Sequence, residues 1–167
     1  MNRAAPNFEL PDQDGVIRKL SDYKGRWLVL FFYPRDNSLN CVREVCSFRN
    51  ELAIIGQFGN ASIIGVNKES VSRHKKFSDE QKLNFPLLSD ESREVTKAYG
   101  AWRSGSAQIY DKIFATRRNT YIINPDGEII KEYLGVSPKN HVTQIIKDLH
   151  AMQDLAVKPK SFKLAVK

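Results

Sequence analysis

Two cysteines, Cys41 and Cys46, are the side chains of this sequence best suited to covalent chemistry. A thiol acts as a nucleophile only as its thiolate, which is favoured at helix N-termini and beside cations. Cys41 lies at such a place. The apolar run Trp27 to Tyr33 ends, a polar loop from Pro34 to Asn40 follows, and helical spacing begins at about Cys41. The helix dipole, the unpaired first-turn amides and the nearby Arg35 and Arg43 all favour a charged sulfur there. Burial as a small apolar residue competes with this reading, because Cys41 stands four residues before Val45 on the apolar stripe. On pattern alone the two stand level. Cys46 follows five residues later, which along an ideal helix is about 140° of rotation and 7.5 Å of rise, or about 8.6 Å between Cα atoms. A disulfide spans at most about 7 Å. A Cys41–Cys46 bond would therefore demand unwinding of the first helical turns, making the pair a conformational switch as well as a redox one. The three histidines, His74, His141 and His150, are far apart in sequence. Without close ligand pairs a zinc site does not fit, and Cys-x4-Cys is not the Cys-x2-Cys of a dithiol oxidoreductase. His74, on a polar helix, reads as a solvated surface residue.

The elements that must position these groups follow from periodicity. Trp27 to Tyr33 is a continuous run of strand-forming residues, as expected for a central strand buried on both faces. Ala61 to Val66 and Thr120 to Ile123 look similar. Glu128 to Leu134 alternates behind Pro125-Asp126-Gly127, a turn signal that predicts an antiparallel hairpin with the preceding strand. Val45, Phe48, Leu52 and Ile55 recur at helical spacing after Cys41, and Val71 to Leu83 and Val142 to Leu149 also read as helices. Strands alternating with helices, closed by a hairpin and a last helix, predict an α/β sheet with helices on both faces. Ala101 to Ala115 is weakly patterned and reads as a loop.

Composition bounds the rest. A length of 167 residues suits one domain, and 41% hydrophobic with 27% charged residues excludes bulk disorder. No apolar run approaches the roughly 20 residues that cross a bilayer. The N-terminus, from Met1 to Pro6, lacks the apolar core of a secretory signal, which points to the cytoplasm or an equivalent reducing compartment. The net charge of +7 falls to +3 without Lys158, Lys160, Lys163 and Lys167. Since the excess sits mainly in a short tail, a solvated tail is favoured over a nucleic-acid-binding arm.

Pro34-Arg35-Asp36-Asn37-Ser38-Leu39-Asn40-Cys41 resembles the Pro-x3-Thr/Ser-x2-Cys motif of peroxiredoxins. The likeness continues through Ala5-Pro6-Asn7-Phe8-Glu9-Leu10, Leu20 to Gly25, Phe85-Pro86-Leu87-Leu88-Ser89-Asp90 and Ala98-Tyr99-Gly100, and covers about Ala4 to Leu155. Cys-x4-Cys with Glu44 between, then Ser47-Phe48-Arg49, resembles the peroxiredoxin Q subgroup, also called bacterioferritin comigratory protein. The resemblance implies a thioredoxin-like fold, a central mixed β-sheet flanked by helices, over residues 1–154, with residues 155–167 a basic C-terminal tail. It also implies a thiol-dependent peroxidase acting on hydrogen peroxide and organic hydroperoxides without metal, haem or flavin. By position Cys41 is then the peroxidatic cysteine, Cys46 the resolving cysteine, Ser38 the residue where Thr is usual, Pro34 the pocket shield and Arg118 the pocket arginine. A thioredoxin-like dithiol would recycle the intrachain disulfide, and the subgroup implies a monomer or weak homodimer.

Read singly, each of these residues has an ordinary role as well: Pro34 ends a strand, Ser38 caps a helix, Arg118 is a surface charge and Glu44 a first-turn acid. The sequence departs from the family at Leu39 and Asn40, where Pro and Gly are usual, and at Val42, where Thr is common. Asn40 is then a candidate helix N-cap. A redox-sensing or chaperone-like binding protein, using the same switch with weak turnover, is the alternative function.

Overall fold

The computed structural model describes residues 2–58, 60–103, 116–137 and 140–164, side chains within 53–58 and 157–164 excepted. In chain order the elements are β1 (Arg3–Ala4), β2 (Glu9–Pro11), β3 (Ile17–Lys19), a 3-10 turn (Leu20–Tyr23), β4 (Trp27–Phe32), α1 (Leu39–Phe58), β5 (Ala61–Asn67), α2 (Val71–Gln81), β6 (Leu87–Ser89), α3 (Glu94–Ala98), β7 (Thr120–Ile123), β8 (Glu128–Tyr133) and α4 (His141–Leu164). Six strands form one mixed sheet in the order β1-β8-β7-β4-β5-β6, and β2 and β3 pair separately. β4, β5 and β6 run parallel, while β4–β7, β7–β8 and β1–β8 are antiparallel. The expected hairpin is thus β7–β8, and the expected thioredoxin-like α/β architecture is present.

β4 lies inside the sheet and is buried at every residue. Its alternation sends Val29 and Phe31, with Tyr33 just beyond, into one cluster and Leu28, Leu30 and Phe32 into the other. The crossovers β4-α1-β5 and β5-α2-β6 advance in the same direction along the sheet, so right-handed connections place both helices on one face. Val45 and Phe48 of α1, Phe77 of α2, and Val142, Ile145 and Leu149 of α4 share the cluster with Val29 and Phe31. The other face is covered by the N-terminal segment (Ala5, Phe8, Tyr23) and by Val95, Tyr99 and Ala101 in and after α3. Among the described residues helices therefore lie on both faces but unequally, three long ones against the five-residue α3. Short elements such as β1, β6 and α3 carry too few residues for periodicity to reveal.

Gly65 of β5 is opposite Phe31, and a Cβ there would lie 2.7 Å from the Phe31 ring and 2.9 Å from Leu87. Only glycine leaves Phe31 room to stack on Phe48, with ring centroids 4.4 Å apart, which seats α1 on β4. α2 stops short of Leu83, at Lys82 with φ 51°. α4 runs past Leu149, and its backbone continues to Leu164 through the segment expected as a tail. Among the described residues no helix is long and apolar enough to cross a membrane. Residues 104–115 of the expected loop, the side chains of Ile55, Lys158, Lys160 and Lys163, and the whole of Lys167 lie outside what is described.

Candidate active site

Cys41 sits in the first turn of α1, which begins at Leu39, two residues before the expected start. Ser38 caps this helix. Its Oγ accepts from Cys41 N at 3.2 Å, and its carbonyl accepts from Val42 N at 2.9 Å. Asn40 is consequently inside the helix and is not the N-cap, a correction with a simple cause: Asn37 adopts φ 63°, turning the chain early enough for Ser38 to take the capping position. Pro34 is buried behind β4, whereas Leu39 and Asn40 are exposed.

Neither reading of Cys41 excludes the other, since its side chain is fully buried with Val45 and Phe48 and is also polar-bonded. The cation that reaches it is not Arg35 or Arg43, both exposed, but Arg118 on the approach to β7. Arg118 Nη2 donates to Cys41 Sγ at 3.0 Å and Nη1 donates to Glu44 Oε2 at 2.6 Å. The neighbouring Arg117 is exposed. One guanidinium thus spans a sulfur and a carboxylate 77 and 74 residues away in sequence. Burial works against the charge of Arg118, but Cys41 and Glu44 outweigh it and hold the guanidinium more firmly protonated than usual. Backbone bonds fix the segment: Val136 N donates to Arg118 O at 3.0 Å, and Phe32 N donates to Asn119 O at 2.8 Å.

Glu44 was the missing member of this group. It is fully buried, and burial, opposed by Arg118, pushes its carboxyl up to about 7. Its Oε1 has no hydrogen-bond partner among the described residues. A first-turn acid is ordinary on sequence grounds, but Glu44 falls three residues after Cys41 on the stripe that also buries Val45 and Phe48. An acid on a buried stripe needs a cationic partner, and that was the available signal. Behind Arg118, His141 Nε2 lies 2.9 Å from Thr120 Oγ1. Burial, with Arg118 adding to it, pushes His141 down to about 4, so it stands neutral near neutral pH.

Pro34, Asn40, Arg103, Thr116, Arg117, Arg118, Gly135 and Val136 line a cavity of about 280 Å³ above this group. Cys46 faces elsewhere. It is half-buried, its Sγ donates to Gln81 Oε1 at 3.5 Å, and it borders a second cavity of about 720 Å³ with Asn40, Arg43, Ser47, Asn50, Ser137 and Asn140. Both thiols are free. The structure therefore gathers Cys41, Ser38, Pro34 and Arg118 at one end of α1 and leaves Cys46 on a different face of the same helix.

His74 is not on the surface. It is fully buried, with Nδ1 2.8 Å from Asp36 Oδ2 and Nε2 3.2 Å from Leu88 O. The polarity of α2 concealed an inward stripe of His74, Phe77, Ser78 and Gln81, whose spacing of three, one and three residues marks one helix face.

Residues 1–132 match the AhpC/TSA family. The chain is 34% identical over 154 residues to a Bacillus subtilis protein named peroxiredoxin Bcp, covering 92% of this chain and 97% of that one. It is 37% identical over 148 residues to a putative peroxiredoxin of Mycobacterium tuberculosis, covering 87% and 91%. Among solved structures it resembles Xanthomonas campestris bacterioferritin comigratory protein, studied for alkyl peroxide reduction, with a TM-score of 0.80 at 27% identity over 87% of this chain and 91% of that one.

Proposed function

We propose, for a chain that belongs to the AhpC/TSA family and is a thiol-dependent peroxidase, that Cys41 is the nucleophile, Arg118, Ser38 and Pro34 build its pocket, and Cys46 resolves the oxidised product. The observation that carries this reading is the Arg118 guanidinium, bonded at once to Cys41 Sγ and to Glu44. A thiolate at that sulfur is held by the charge-assisted bond from Arg118 and by the positive end of the α1 dipole. It attacks the terminal oxygen of hydrogen peroxide or an organic hydroperoxide. The O–O bond breaks, water or an alcohol leaves after taking a proton, and Cys41 becomes a sulfenic acid. Arg118 stabilises the negative charge that moves from sulfur to the departing oxygen. Pro34 walls the pocket mouth, and Ser38 holds the Cys41 backbone through its cap.

The Cys46 thiol then condenses with the sulfenic acid, releasing water and forming an intrachain disulfide. A thioredoxin-like dithiol reduces that bond by exchange and carries the two electrons away as its own disulfide. Because both cysteines lie on α1, the bond requires its first turns to unwind. By likeness to the bacterial Bcp relative the enzyme is read as cytoplasmic, and it is further read as a monomer or weak homodimer with residues 155–167 as a basic tail on the 1–154 domain. Hydrogen peroxide consumption with a thioredoxin system tests the assignment. Cys41→Ser should abolish it, and retention of more than a tenth of the activity rules Cys41 out. Cys46→Ser should react once, leaving a sulfenic acid visible by mass spectrometry and no thioredoxin-driven turnover.

A further inference from the structure

The loop that carries Pro34 and Ser38 is tied down from below by a buried polar network that the peroxidase reading leaves unused. Asp36, at the loop's centre, is buried among exposed neighbours, with Arg35 and Asn37 both facing out. Its Oδ1 accepts from the Tyr33 hydroxyl at 2.7 Å and from Asn67 Nδ2 at 3.1 Å. Its Oδ2 meets His74 Nδ1 at 2.8 Å. Leu88 O can only accept, so His74 Nε2 carries a hydrogen and donates to it at 3.2 Å. Nδ1 and Oδ2 face each other at hydrogen-bond distance, and every polar atom of the pair has a partner. The loop is thereby fixed to the ends of three parallel strands, through Tyr33 after β4, Asn67 of β5 and Leu88 of β6, and to α2.

Two helical turns further along α2, about 10.5 Å away, Gln81 makes the other contact. Its Oε1 accepts from Cys46 Sγ at 3.5 Å, and its carbonyl accepts from Arg49 Nη1 at 2.5 Å. Gln81 lies on the same face as His74, with Phe77 between them in the core. One rigid element therefore touches both the segment before Cys41 and the residue that must travel to it.

We propose that α2 is a two-point clamp on the catalytic cycle: His74, through Asp36, positions the Pro34–Ser38 loop for reaction of Cys41 with peroxide, and Gln81 restrains Cys46 until the disulfide forms. This rests on the roles of Cys41 and Cys46 proposed above. Asp36, His74 and Gln81 are positioning residues, since none touches the reacting oxygen. The clamp divides the two steps: loss of the first point slows sulfenate formation, and loss of the second frees Cys46 and hastens disulfide formation.

Asn at position 36 can keep every bond, its Oδ1 accepting from Tyr33 and Asn67 and its Nδ2 donating to a neutral Nδ1 of His74. Rapid-quench mass spectrometry in a Cys46→Ser background would follow sulfenate formation. Asp36→Ala and His74→Ala should slow it at least tenfold, and Asp36→Asn should stay within threefold of the parent. In the two-cysteine protein, Gln81→Ala should hasten disulfide formation threefold or more. A sulfenate rate within threefold for Asp36→Ala, or Asp36→Asn as slow as Asp36→Ala, overturns the loop half, and an unchanged disulfide rate in Gln81→Ala overturns the Cys46 half. Should Asp36→Ala fail to fold by circular dichroism, Tyr33→Phe decides, because it removes one donor without opening a large cavity: slower sulfenate formation supports the clamp and an unchanged rate overturns it. Peroxide consumption by Cys41→Ser, run in parallel, would instead point to failure of the underlying peroxidase assignment.

Discussion

The two ends of the Cys41–Cys46 segment share one helix but differ in how they are held. Cys41 is fully buried, its backbone capped by Ser38, its sulfur bonded to Arg118, and its turn packed on β4. Cys46 is half-buried and bonded through one long contact to Gln81. A nucleophile that must attack in a fixed geometry benefits from such preorganisation. In the role proposed for Cys46 the thiol has to move, and strong contacts would only raise the barrier to its motion. The helix thus places a rigid site and a releasable one within two turns.

The sharpest way to break this contrast is to remove the cation from the Cys41 end. Arg118→Ala should lower the second-order rate of sulfenate formation by about 10²- to 10³-fold, the usual cost of losing a donor aimed at developing charge. Stopped-flow measurement on the Cys46→Ser protein would show it, and a loss below tenfold would mean that the α1 dipole suffices.

Titration offers a second probe, because two buried ionisable groups, Glu44 and His141, interact with Arg118, the cation bonded to Cys41. His141 stands at about 4 when folded and near 6.5 when unfolded, so the unfolded chain binds the extra proton between these values. Its contribution is present above pH 6.5 and is lost as the pH falls towards 4. Glu44, raised to about 7, behaves oppositely: its contribution is full below the unfolded value near 4.5 and is lost as the pH rises through 7. In urea titrations, the stability of the wild type relative to His141→Gln should rise by up to about 3 kcal/mol from pH 4 to 6.5. Relative to Glu44→Gln it should fall by a similar amount from pH 4.5 to 7. Flat differences in both series would mean that neither group is held as the geometry implies.

Forming the disulfide should erase the difference between the two ends. Amide exchange from Cys41 to Arg49 should accelerate roughly tenfold or more in the oxidised protein as the first turns open. Equal protection in both redox states would show that the bond forms without unwinding.

The smallest effect is expected at Leu39 and Asn40. With Ser38 as the cap, position 39 is the first helical residue, where proline's fixed φ and missing donor are tolerated, so Leu39→Pro should stabilise by about 0.5 to 1 kcal/mol. Asn40→Gly adds freedom at the second position and partly offsets this. The double variant should raise the peroxide rate a few-fold, and a tenfold loss by stopped-flow would show that the loop is adapted to its own residues.

The sheet's long strands, the β7–β8 hairpin and the start of α1 near Cys41 were legible because each depends on local periodicity and turn chemistry. Pro34, Ser38 and Arg118 were reached through motif resemblance, since singly each residue type is ordinary. Glu44 and His74 escaped for a common reason. Glu44 looked like a first-turn acid and His74 like part of a polar helix, and in each case burial comes from partners distant in the chain: Arg118, 74 residues on, for Glu44, and Asp36, 38 residues back, for His74.

The sequence by itself determined which of the longer segments become strands and helices, and that a thiol would stand in the first turn of one of them, because hydrogen-bonding periodicity and capping act over a few residues. Only the tertiary structure decided that Arg118 rather than Arg35 or Arg43 reaches that thiol, and that α2 touches the segments of both cysteines. Those contacts exist because the parallel crossovers line up β4, β5 and β6 while antiparallel pairing lays β7 and the segment before it beside β4, and chain pattern does not encode which side chains meet when sheet and helices close on one another.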